Sequence, residues 1–132
     1  MSRYKQKVMG WAHAIRRAGQ CEWNEALSRA WDMYYVHRWL CQGIVRFVYR
    51  KSDGSIRIAR GTLCDELIPE EKRPKGIREA QIAAGMRKPD YRTIAYFDLD
   101  KRDWRAFSPA GFISVWRVPF GKTSQMAAQK KP

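Results

Sequence analysis

The sequence predicts an α+β fold in which an N-terminal helical element packs on a small five-stranded β-barrel. Three observations carry this reading. Apolar residues recur at steps of three and four up to about residue 42, the period changes to two after Gly43, and an Asp-Gly pair separates two alternating runs. With 132 residues, 45% of them hydrophobic and six of them Trp, the chain has enough bulky apolar surface for one packed domain.

In the helical part, Trp23, Leu27, Ala30, Trp31 and Tyr34 form one stripe of an amphipathic helix over Trp23–Leu40. Met33, Val36, Trp39 and Leu40 widen that stripe toward its end, and Glu25 and Arg29 make a favourable i,i+4 pair. A shorter helix is expected over Val8–Ala18, closed by Gly19 in a left-handed cap. The two helices form a hairpin.

Beyond Gly43, Ile44–Lys51 and Ile56–Leu63 alternate in polarity around Ser52-Asp53-Gly54-Ser55, a β-hairpin whose turn needs the positive φ that Gly accepts. Val45, Phe47 and Tyr49 share the face expected inside, and Ile44, Arg46, Val48 and Arg50 share the other. Further strands are expected at Thr93–Leu99, Trp104–Phe107 and Phe112–Val118. The turn Asp100–Asp103 joins the first two, and Ser108-Pro109-Ala110-Gly111 precedes the last. Five strands in this order describe an SH3-like or Sm-like barrel. Between residues 64 and 92 the pattern lapses into prolines, glycines and charges with a short helix near Ile77–Met86, a length of connection that is usually functional or mobile. The expected organisation is a helical element at 1–42, a barrel at 43–118 with an inserted loop at about 64–92, and a basic flexible tail at 119–132.

Four segments carry a resemblance: Gly43–Gly54 with its Lys-x-Asp-Gly turn, Arg57–Leu63 with Arg-x-Ala-x-Gly-Thr-Leu, Tyr96–Asp100, and Trp104-Arg105-Ala106-Phe107. Together they resemble the WYL-like, Sm-like SH3 barrels of small proteins from gut bacteria and their phages. The resemblance implies a fold more firmly than an activity, since such barrels serve ligand sensing, nucleic-acid binding and protein contacts alike. No Trp-Tyr-Leu run and no helix-turn-helix accompanies it, so a transcription-factor role does not follow. The stretch Glu70–Arg92 replaces what is a short linker in typical members.

Charge points to the partner. Lys and Arg number 26 against 13 Asp and Glu, a net +13, and the excess is spread along the chain rather than confined to a tail. Such a surface gains affinity for phosphates through counterion release, which places DNA or RNA first among partners. Arg46, Arg50, Arg57, Arg60 and Arg105 are the candidate phosphate contacts on the barrel, with Lys72, Arg73, Arg87 and Lys88 of the insert closing over them. Phe47 and Trp104 are read as barrel core in preference to stacking platforms.

Enzymatic sites find no pattern here. Pro89-Asp90 with Asp98, Asp100 and Lys101 departs from the spacing of metal-dependent nucleases. His13 and His37 are too far apart in sequence for a dyad, and Cys21, Cys41 and Cys64 form no C-x-x-C pair. No glycine-rich phosphate loop occurs, and no cofactor or metal is expected. No apolar run reaches the roughly 18 residues of a membrane span. The expectation is therefore a cytoplasmic, non-enzymatic nucleic-acid-binding or regulatory accessory protein, phage or mobile-element encoded, with no membrane partner. The alternative is a module docking on an acidic host or phage protein. An exposed cluster of Tyr35, Trp39 and Trp116 would favour that alternative; basic residues gathered on one barrel face would favour nucleic acid.

Overall fold

The structure, a computed structural model, describes residues 3–19 and 21–119. The expected tail lies, from residue 120 onward, outside the described residues. Helix α1 runs over Arg3–Gly19 and α2 over Trp23–Gln42. Val8, Trp11, Ala12 and Ile15 make the buried stripe of α1, while Ala26, Ala30, Met33, Val36 and Leu40 make that of α2. Small Ala residues facing large ones let the two helices approach closely. Helix α1 starts five residues earlier than the periodicity predicts, where Tyr4 meets Trp31 and Tyr34 at ring distances of 6.2 and 6.0 Å. Gly19 is the last residue of α1 and lies outside the left-handed region, so the expected left-handed cap is not formed there.

Five strands follow: β1 (Val45–Arg50), β2 (Ile56–Thr62), β3 (Ile94–Asp98), β4 (Asp103–Phe107) and β5 (Phe112–Arg117). They form one antiparallel sheet in the order β4-β3-β2-β1-β5. The β1–β2 hairpin forms where expected, and its register sets Phe47 opposite Ala59 and Arg50 opposite Ile56. Its turn is built as the sequence requires: Gly54 has φ +90°, and the Asp53 carboxylate accepts from the Ser55 backbone N–H at 2.9 Å and hydroxyl at 2.6 Å.

Val45, Phe47 and Tyr49 are buried on the inner face together with Tyr96 and Phe107, and this aromatic set is continuous with the helix core. Tyr49 and Tyr96 share a buried hydroxyl–hydroxyl hydrogen bond of 2.8 Å. Burial, reinforced by that bond, pushes the Tyr96 phenol well above its usual range.

The resemblance motifs are joints of the fold. Gly61 is indispensable to the packing because the Tyr96 ring lies where a Cβ would be. The buried Thr62 hydroxyl donates to the Gly43 carbonyl at 2.8 Å and accepts from the Cys64 N–H at 3.0 Å, tying β2 to the end of α2. The insert is ordered as two 3-10 turns, Asp65–Leu67 and Glu70–Lys72, and a short helix α3 (Ile77–Ala83). It is pinned to β4, where the Trp104 indole N–H donates to the Lys72 carbonyl at 2.8 Å and the indole meets Phe97 edge-on at 5.8 Å. Trp104 is thus half-buried between Phe97 and the insert, on the outer face of the sheet and outside the barrel core in which the sequence reading places it.

Candidate nucleic-acid interface

Strand alternation decides where the basic side chains go. On β2, Arg57 shares the inner face with Ala59, opposite Tyr49, whereas Arg60 shares the outer face with Ile56 and Ile58, opposite Arg46. On β4, Arg105 lies opposite Tyr96 and so joins Arg57 on the inner face. The five barrel arginines therefore do not form one surface. They divide into two clefts toward opposite ends of β1.

The first cleft, about 890 Å³, lies where β1 ends and β2 begins, closed by the end of β4 and the turn Pro109–Gly111. Arg50, Lys51, Arg57 and Arg105 line it, together with the hydroxyl residues Ser52, Thr93 and Ser108, and no acidic residue does. Tyr49 and Phe107 form its floor but are buried, so they offer no ring face for stacking. Each cation is steered by a group near its own element. Arg57 Nη1 is 3.8 Å from Oδ2 of the buried Asp98, whose Oδ1 accepts the N–H groups of Asp100 and Lys101 at 2.9 and 3.0 Å. Arg50 Nη1 donates to the Gly54 carbonyl at 2.8 Å, and Lys51 Nζ lies 4.0 Å from the exposed Asp53 carboxylate. Arg105 Nη1 donates to the Trp104 carbonyl at 2.9 Å with Asp103 at 3.8 Å. The rim turn is clamped by α2, since Arg29 Nη2 donates to the Ala110 carbonyl at 2.7 Å. A cleft of this size with four cations and three hydroxyl residues matches the charge and hydrogen-bonding needs of a phosphate group.

The second cleft, about 540 Å³, is lined by Arg46, Arg60 and Arg117 with Ile44, Leu67 and Val118. Arg60 is partly neutralised by Asp100, with Nε and Nη2 each 3.1 Å from Oδ1. Arg117 was absent from the sequence candidates. Only the β1–β5 pairing, which sets it opposite Arg46, brings it there.

Lys72, Arg73, Arg87 and Lys88 line neither cleft. Lys72 faces Asp103 at 3.5 Å and ties the insert to β4, while Arg73 Nε donates to the Ile68 carbonyl at 3.0 Å and braces the insert internally. Arg87 and Lys88 are exposed beyond α3. The expected closure of the insert over the barrel arginines is thus not the arrangement seen. Tyr35 and Trp39 belong to the helix core or pack against it, while Trp116 is exposed, so the three aromatics do not form one patch.

The carboxylates around the β3–β4 turn each face a cation: Asp98 faces Arg57, Asp100 faces Arg60, and Asp103 faces Lys72 and Arg105. Backbone hydrogen bonding from Trp104, then the Lys72 charge, holds the Asp103 carboxyl below its usual range. Among the described residues no cluster of three or more His, Cys, Asp or Glu is placed to hold a metal ion, and no helix is long and apolar enough to cross a membrane.

A helical hairpin packed on a five-stranded antiparallel sheet with these turn and strand motifs defines a small SH3-like barrel protein. Residues 36–113 match the WYL_2 family, described as having the Sm-like SH3 beta-barrel fold, and the chain belongs to that family. It is also similar to an uncharacterized 11.5 kDa protein from the Gp31-cd intergenic region of Enterobacteria phage T4. The two are 32% identical over 76 residues, covering 58% of this chain and 69% of the phage protein. No solved structure matches the chain significantly.

Proposed function

We propose that the protein is a non-enzymatic accessory protein of phage type that binds nucleic acid by its phosphates. The observation that carries this reading is the first cleft, where Arg50, Lys51, Arg57 and Arg105 converge with no acidic residue in the lining. Three of the four cations have a carboxylate only at 3.8 to 4.0 Å, from outside the lining, so the cleft keeps a positive potential that an anionic ligand answers by ion pairing and counterion release. The net +13 adds long-range attraction that speeds encounter. Because the floor aromatics are buried, contacts run to the backbone and sequence preference is weak. Similarity to a phage protein fits a phage-type accessory role.

Fluorescence anisotropy with labelled single-stranded and duplex DNA and RNA, at several salt concentrations, tests the reading. Binding is expected to fall linearly in log salt, and Lys51→Gln/Arg105→Gln is expected to reduce that slope by about 1 to 2, roughly one for each phosphate that is no longer neutralised. These two residues are chosen because neither touches the buried Asp98. Absence of binding at low salt, or an unchanged slope in the variant, refutes the proposal.

A further inference from the structure

The outer face of β2-β1-β5 has features that a phosphate-binding role leaves unexplained. Along its middle, Ile58 and Ser114 flank Val48 on either side, and Ile56 extends the row on β2. Two register shifts in the β1–β5 pairing each leave one extra residue on β5, Ile113 between the pairs at Tyr49 and Val48, and Trp116 between those at Phe47 and Arg46. Ile56, Ile58, Ile113 and Trp116 are between 47% and 60% exposed. Half of the large apolar residues exposed among the described residues thus gather on three adjacent strands, where scattered ones would call for no explanation.

The edges of this face are cationic. Arg60, Arg46 and Arg117 stand side by side across the three strands at one end, and Arg50 stands at the other. Like charges directly opposite one another destabilise a sheet, and among the described residues only Arg60 of that row is answered by a nearby carboxylate, Asp100. An apolar centre of Trp and Ile with an arginine rim is the composition of a protein interface; isoleucines offer nothing to phosphates or base edges.

We infer that this face docks a protein partner whose contact segment combines apolar side chains with Asp or Glu. Charge complementarity selects that occupant. Residues 120–132 carry three Lys and no acidic side chain, and a second copy brings another +13, so neither complements the charge of the arginine row. The surface shares only Arg50 with the first cleft, so partner and nucleic acid can be held together.

The test uses the full chain with isotope-labelled Ile methyls and Trp indoles, titrated by NMR with three synthetic 16-residue peptides. One carries Glu, Asp, Leu and Ile in amphipathic pattern, one replaces its Leu and Ile with Ser, and one replaces its acids with Lys. The acidic apolar peptide is expected to shift the Ile56, Ile58, Ile113 and Trp116 signals and to lose about tenfold in affinity with Ile58→Ser or Trp116→Ser, both exposed positions. Arg46→Gln/Arg117→Gln is expected to weaken it and to reduce its salt dependence. Equal binding of the Ser or the Lys peptide, or no shift with the acidic apolar peptide at millimolar concentration, overturns the inference. So does a dimer in sedimentation that Ile58→Ser abolishes, which gives the face to a second copy. Shifts of these same signals by single-stranded DNA in preference to the peptide give it to nucleic acid.

Discussion

At the scale of single residues, the positions that make this chain resemble its family are those that leave the backbone no alternative. Gly61 is the clearest case, because any Cβ there runs into the Tyr96 ring in the centre of the barrel. Gly61→Ala is expected to cost about 2 to 3 kcal/mol in urea denaturation, the range of an overpacked core, with no change in the salt slope of nucleic-acid binding per folded molecule. His37 makes a different prediction. Its ring lies 5.9 Å from Trp11, and burial, then the charge of Lys7, lower its pKa from 6.5 to about 4. A neutral imidazole in the folded state and a protonated one in the unfolded state mean that stability is full above pH 6.5 and declines as pH falls toward 4. Below that this residue adds no further loss. The decline is at most about 3 kcal/mol, and His37→Gln should flatten it in denaturation curves taken every half pH unit from 4 to 7.5. An identical pH dependence in wild type and variant would contradict the assignment.

At the scale of elements, the insert is the piece whose behaviour its composition misrepresents. Proline, glycine and charge suggest a loop free to close on a ligand, yet the Lys72 carbonyl and ammonium bind it to Trp104 and Asp103 of β4, while the buried Ile68 and its hydrogen bond from Arg73 brace it internally. Trp104→Phe removes the indole donor while keeping a ring against Phe97. It should cost about 1 kcal/mol and raise amide exchange across residues 68–74 more than in β1 or β2. Uniform acceleration throughout the chain would mean that the insert and barrel open as one unit. The basic residues on β1, β2 and β4 were visible in the sequence, and so was the alternation that separates odd from even positions. Arg57 and Arg60 are three apart, so their placement on opposite faces was already legible; what was missing was that β4 closes over the inner one.

At the scale of the whole molecule, the question is whether affinity for nucleic acid comes from the general field or from one place. Three double variants, Lys51→Gln/Arg105→Gln, Arg46→Gln/Arg117→Gln and Arg87→Gln/Lys88→Gln, each lower the net charge from +13 to +11. A pure field effect weakens binding equally in all three, whereas the first cleft as binding site makes the first variant lose several-fold more than the third. Equal losses would remove the site while leaving the charge argument intact.

Much of this architecture was determined by local signals. Helical stripes, the Asp-Gly turn and strand alternation each depend on residues within a few positions of one another, so the elements, their order and the inner set Val45, Phe47 and Tyr49 can be read along the chain. The family resemblance was legible because its motifs lie in short contiguous stretches, although the demand behind Gly61 comes from the Tyr96 ring on the neighbouring strand. The division of the basic residues into two clefts, the recruitment of Arg117 beside Arg46, and the exposure of Ile56, Ile58, Ile113 and Trp116 were decided only by tertiary structure. Those features depend on which strands are neighbours and where the β5 register slips. Pairing between strands as far apart in the chain as β1 and β5 is set by the packing of the whole sheet, and no local pattern encodes it.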